Sequence, residues 1–203
     1  MKLYSAAKAP NPRRIVMMLA EKGIEDVEII NLDLAGGDNL TEEFRQRNPI
    51  AKVPVLETDG GLSISECQAI YRYLEETCPQ PALLGSSAEE KAIIEMWDSR
   101  VEHAFFVPVG HAFQHSTGFF ADRMTPVAEW GSEAAKVAAK FLPVLEAQLT
   151  DNEFVAGANF SVADITTLCT LEFAKVIRLR AGDDYPAINR WYKAMQQRAS
   201  YSA

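Results

Sequence analysis

The sequence is poor in cysteine, in histidine and in positive charge. Its three cysteines are Cys67, Cys78 and Cys169. No two of them form a CxxC pair, which removes the common dithiol-redox and zinc-ribbon spacings. The histidines are His103, His111 and His115; the first two have no carboxylate at a ligand spacing, so no metal is expected. An odd cysteine count, in a chain opening on Met1-Lys2-Leu3-Tyr4-Ser5 (a strand and not a signal peptide), points to a reducing compartment, and cytoplasm is the expected location. Lys and Arg total 20 against 28 Asp and Glu, a net charge of −8. That balance disfavours nucleic acid as a partner, because phosphate binding needs concentrated positive charge. It leaves room for a local basic patch facing a small anion. No apolar run reaches the length of a membrane span, so no membrane partner is expected.

What is present is ordinary globular material. Hydrophobic residues make up 48% of 203, enough for one large domain or two modest ones. Met1–Ser5 reads as a strand. Pro10, Asn11 and Pro12 read as a rigid turn, because each proline ring fixes φ and removes an amide. Residues 13–22 read as a helix stopped by Gly23, and residues 27–32 as a second strand. A short helix over 41–47, capped by Thr41, precedes Val53-Pro54-Val55-Leu56-Glu57, a third strand. Asp59-Gly60-Gly61 is a hairpin signal into Leu62-Ser63-Ile64. Ser65 is placed to cap a helix ending near Thr77. This order predicts parallel crossover strands with antiparallel edges added by the hairpin, a mixed sheet. Pro79-Gln80-Pro81 through Gly85 reads as a linker. Beyond it every segment is helical: about 89–112, bent at Pro108 and Gly110; 126–149, kinked at Pro143; 161–179; and 186–198.

Two features carry chemistry. A proline at Val53-Pro54 is compatible with an edge or turn residue, or with a cis bond that turns the Val53 N–H and C=O toward a ligand. A peptide-like molecule can pair with such an edge as a short added strand. Ser65-Glu66-Cys67 opens a helix, where unpaired amides and the helix dipole attract a carboxylate and Glu66 can accept an ammonium. The same residues also serve as an ordinary cap and a favourably charged first turn.

The ordered set of these pieces resembles the cytosolic glutathione S-transferases, in particular bacterial members. It comprises Arg13-Arg14, Ala20-Glu21-Lys22-Gly23-Ile24, Asn48-Pro49, Lys52-Val53-Pro54-Val55-Leu56 and residues Ile64 to Leu74. Asn159-Phe160-Ser161-Val162-Ala163-Asp164-Ile165 and Tyr185-Pro186 to Trp191 continue it in the second half. The resemblance implies a thioredoxin-like α/β N-terminal domain with a mixed four-stranded sheet over 1–78. A linker over 79–87 and an all-α C-terminal domain over 88–203 then follow. The helical domain is expected to contribute the second-substrate pocket. The implied co-substrate is glutathione, with no metal. Val53 and Pro54 are expected at its cysteinyl part, and Glu66 and Cys67 at its γ-glutamyl end. Cys67 stands where the family usually has serine, and its thiol is a weaker hydrogen-bonding group. Lys52 and Asn39 are expected at the glycyl carboxylate, and Lys8 is counted among the glutathione-binding residues. Ser161 and Asp164 have capping-box spacing, so Asp164→Ala is expected to cost on the order of 1–2 kcal/mol.

The chemistry of this family needs a thiolate, and glutathione's thiol titrates well above neutrality. Serine-type relatives place a hydroxyl where this chain has Ala9. Asn11 is the first substitute, through its amide; Ser5 is the second; and Lys8 can act by its field. The resemblance places the electrophile between the domains, against the aromatic stretch around Phe106, Phe113 and His115, with Phe119 and Phe120 at its far end. The expected function is glutathione transfer to a small apolar electrophile, in detoxification, by a homodimer. The alternatives are glutathione-dependent disulfide-bond reduction, with a disulfide as partner, and non-catalytic glutathione or partner binding.

Overall fold

A computed structural model describes residues 1–203. The chain packs as two compact units, Met1–Ala82 with Ser202–Ala203, and Leu83–Tyr201.

The first unit is a four-stranded sheet of order β2-β1-β3-β4, with β1 at Lys2–Ser5, β2 at Glu28–Asn31, β3 at Val55–Glu57 and β4 at Ser63–Ser65. β1 and β2 run parallel, in the register Leu3 to Ile29, while β1–β3 and β3–β4 are antiparallel. The mixed sheet is therefore as expected. Period-two alternation divides the strand residues between two faces. Tyr4 and Val55 form one core cluster with Phe44, flanked by Ile30, Leu32 and Val53. Helices α1, Pro10–Glu21, and α3, Cys67–Thr77, pack together; α1 also meets β1, and α3 meets β4. Ile15, Met18, Leu19, Ile70 and Leu74 are buried there. The short α2, Glu42–Arg47, carries Phe44 and is capped by Thr41, whose hydroxyl accepts from the Phe44 N–H at 3.3 Å.

Two local expectations change. Pro10-Asn11-Pro12 is not a turn ahead of the helix; it is the first turn of α1. The first amides of a helix have no intrahelical acceptor, so prolines there forfeit nothing and their fixed φ suits the helix. Ser65 does not cap α3. It ends β4, and Glu66 is the N-cap, at φ +69. At the other end of α3, the buried Lys22 ammonium meets Glu75 Oε2 at 2.6 Å. It also donates to the carbonyls of Cys78 at 2.7 Å and Pro81 at 2.9 Å.

The second unit is helical. Its elements are α4, Ala88–Val101; α5, Val107–Ser116; α6, Ala128–Ala139; α7, Leu142–Asp151; α8, Val162–Ala174; and α9, Pro186–Gln196. Between α4 and α5 lies one π turn, Glu102–Phe106, closed by the Val107 N–H on the Glu102 carbonyl. The bend expected at Pro108 is absorbed in this way: proline removes an amide, and the wider turn re-pairs the ladder just before it. Pro143 does not kink a long helix. The chain breaks at Lys140–Phe141 and Pro143 sits in the first turn of α7. α8 is buried over Val162–Leu171, and its threonines are satisfied internally. Thr167 and Thr170 donate to the carbonyls four residues back, each at 2.7 Å, and Thr166 donates to Asp98 at 2.6 Å.

Candidate functional site

The site in the first unit is built where three loops end. The Val53–Pro54 bond is cis. Val53 lies outside the strand pairing, and no backbone hydrogen bond of the chain reaches its N–H or C=O. Val53 itself is half-buried, and α3 begins just past β4, the strand paired with β3.

At the start of α3, Glu66 is exposed and holds φ +69 with no side-chain cap on the helix. A non-glycine residue in this region is uncommon and stores on the order of 1–3 kcal/mol. The Glu66 side chain gives α3 no cap bond, and the partial positive charge at a helix start favours an anion. Cys67 is buried, and its thiol donates to the Asn11 carbonyl at 3.6 Å. That contact binds the first turn of α1 to the first turn of α3, so Asn11 and the Glu66–Cys67 pair belong to one neighbourhood.

Ala9 is the N-cap of α1 and gives the helix no side-chain bond. Pro10 and Pro12 have no N–H. Asn11 therefore carries the backbone amide between them, together with its carboxamide. Its Oδ1 is buried without a hydrogen-bonding partner. Ser5 is buried at the end of β1, where its carbonyl accepts from the Leu32 N–H at 2.8 Å. Lys8 and Lys52 are exposed. Asn39 is buried and its Nδ2 donates to the Ala51 carbonyl at 2.6 Å, so that donor serves the loop before Val53. Tyr4 is packed edge-on against Phe44 and its hydroxyl donates to Glu57 at 3.3 Å.

The remaining candidates all lie in the second unit. Phe106 is buried against Phe173. Phe113 meets Phe119, Phe120 and Phe173, with ring centroids 5.5, 6.0 and 5.2 Å away. Phe119 is exposed. His115 accepts from the Val127 N–H at Nδ1, 3.0 Å, so its remaining nitrogen, Nε2, is the one that carries hydrogen in the neutral ring. No group of three or more His, Cys, Asp or Glu is arranged to hold a metal ion. Sequence reasoning missed Asn48. Its signal was the Asn-Pro pair ahead of the strand, which entered only as one of the residues that carry the family resemblance.

Comparison with known proteins gives the class. Residues 1–76 match the family model for the glutathione S-transferase N-terminal domain, and residues 97–199 match that for its C-terminal domain. Glutathione S-transferase 2 of Saccharomyces cerevisiae is 34% identical over 201 residues, covering 98% of this chain and 86% of that one. The solved structure of Gtt2 from the same yeast superposes with a TM-score of 0.95 at 34% identity, covering 100% and 99% of the two chains. A glutathione S-transferase domain-containing protein of Marinobacter aquaeolei reaches 0.94 at 36% identity, covering 98% and 99%. The chain belongs to the glutathione S-transferase family, a family of transferase enzymes.

Proposed function

We propose that this chain binds glutathione on the first unit and activates its sulfur for attack on an apolar electrophile. The observation that carries the reading is the Val53 peptide edge, which no backbone hydrogen bond of the chain reaches. The cysteinyl part of the tripeptide would pair with Val53. Its γ-glutamyl carboxylate would meet the first amides of α3, and its ammonium would meet Glu66. Lys52 and Lys8 supply exposed positive charge for the glycyl carboxylate.

Asn11 is the donor we assign to the sulfur. Its own amide has prolines on both sides, and its carboxamide supplies the second donor. Hydrogen bonds to the charged form lower a pKa, and the positive end of α1 acts in the same direction. In the second unit, Phe113, Phe119 and Phe120 offer an apolar surface for the electrophile. The assembly is proposed as a homodimer and the location as cytoplasmic.

Ultraviolet thiolate absorbance of bound glutathione, titrated against pH, tests the mechanism. The expected result is a pKa below that of free glutathione, and a rise of about one unit in Asn11→Ala with binding retained, a tenfold loss of thiolate. An unshifted pKa in the wild type removes the activation step. Comparing aryl halides, hydroperoxides and mixed disulfides as substrates then separates transfer from disulfide reduction; turnover of disulfides alone would overturn the transfer reading.

A further inference from the structure

The segment between α2 and β3 is held by two buried carboxamides. Asn48 is 2% exposed and uses every polar group it has. Its N–H donates to the Phe44 carbonyl at 3.0 Å, closing α2, and its C=O accepts from the Ala51 N–H at 2.9 Å. Its Oδ1 accepts from the Ile50 N–H at 3.3 Å and its Nδ2 donates to the Lys52 carbonyl at 2.8 Å. Asn39 takes the neighbouring carbonyl, that of Ala51. Ala51 itself is buried at φ +54, a conformation non-glycine residues rarely take. The loop is thus over-determined, which is the condition under which such a conformation persists.

The direction of these bonds matters more than their number. The peptide between Lys52 and Val53 is trans, since the cis bonds of the chain are Val53–Pro54 and Gln80–Pro81. In a planar trans peptide the C=O and the N–H point opposite ways. Once Asn48 fixes the Lys52 carbonyl toward itself, the Val53 N–H must face away from Asn48. That N–H is the one to which the chain supplies no acceptor. We infer that Asn48 is a positioning residue for glutathione: through the Lys52–Val53 peptide plane it aims the Val53 N–H at the ligand backbone. Asn39 does the same for the peptide before it. This rests on the glutathione reading above and adds to it a residue that touches no substrate atom.

Asn48→Asp is the informative variant. It keeps the acceptor for Ile50 and replaces the donor to Lys52 with an oxygen that repels that carbonyl, so the peptide plane is released while side-chain volume is unchanged. Calorimetric titration with S-methylglutathione should show a dissociation constant at least about tenfold higher than wild type. Turnover at saturating glutathione should stay within about twofold, the split expected when uniform binding alone is lost. Wild-type affinity in Asn48→Asp overturns the inference. If that variant does not fold, amide hydrogen exchange of the wild type decides instead. S-methylglutathione should slow exchange of the Val53 N–H, and an unchanged rate despite calorimetric binding overturns the inference together with the Val53 pairing, while glutathione binding itself stands. A wild type that shows no calorimetric binding overturns the glutathione reading itself.

Discussion

Asp164 shows how much a single side chain can hold together. It is fully buried and accepts four hydrogen bonds: from the Val155 N–H at 2.9 Å, the Ser161 N–H at 3.0 Å, the Ser161 hydroxyl at 3.2 Å and the Trp191 indole at 2.9 Å. The cap of α8 is therefore also the anchor of α9 and of the loop at Val155. Deleting it leaves several donors buried without an acceptor, so Asp164→Ala should cost about 3 kcal/mol or more, above the range for a lone cap. Urea unfolding measures this, and a loss near 1 kcal/mol would show that Trp191 and Val155 find other partners. Burial pushes the carboxyl up to about 6 from 3.8, against the pull of its four donors. A raised carboxyl binds its proton more tightly in the folded than in the unfolded chain. Its stabilising contribution is thus full below about pH 3.8 and is lost as pH rises through about 6. Asp164→Asn cannot ionise, so the stability difference between wild type and this variant should move in favour of the variant between those two values. A constant difference across that window would contradict the assignment.

At the scale of elements, α5 and α6 approach so closely that only glycine fits between them. A Cβ at Gly131 would lie 2.4 Å from Ser116 Oγ, 3.1 Å from His115 Cβ and 3.2 Å from the His115 carbonyl carbon. A serine rotamer can relieve the first contact, but the others belong to the framework of α5. Alanine gains about 1 kcal/mol in helix propensity, and the forced separation costs about 1–3 kcal/mol. Gly131→Ala should therefore lower the melting temperature, and adding Ser116→Ala should restore part of the loss. An unchanged melt in the single variant would mean that the helices part freely. The same scale shows what the sequence discloses. Gly23 and Asp59-Gly60-Gly61 mark turns of the mixed sheet, and helical periodicity marks α3. Proline is ambiguous without context: Pro10, Pro12 and Pro143 suit a helix start as well as a break, and the π turn ahead of Pro108 depends on backbone pairing that no residue type encodes. In the candidate site, the cis bond at Val53–Pro54 is legible because its signal, a proline ahead of a strand, is local. The proposed role of Asn48 is not, because it lies in which carbonyl its amide reaches, and that is fixed only when residues 48–52 close their loop.

For the whole molecule the proposed two-fold assembly makes a quantitative demand. Each copy carries a net charge of −8, so two copies repel and their association has to come from apolar contact. α4 supplies a candidate face: Ile94 and Trp97 are buried, whereas Ile93 and Met96, one turn apart, are 44% and 39% exposed. Apolar side chains at that spacing form a stripe, and a two-fold axis can bring such a stripe against its own copy. Sedimentation should then show a single species of about 45 kDa, twice the chain mass of 22.5 kDa. Added salt shortens the range of the repulsion but leaves apolar contact intact, so raising ionic strength from about 0.05 to about 0.5 M should tighten the dimer. Ile93→Glu with Met96→Glu adds charge where the stripe would pack and should give a species at the chain mass. A dimer that loosens as salt is added would place ion pairs, and not this stripe, at its centre.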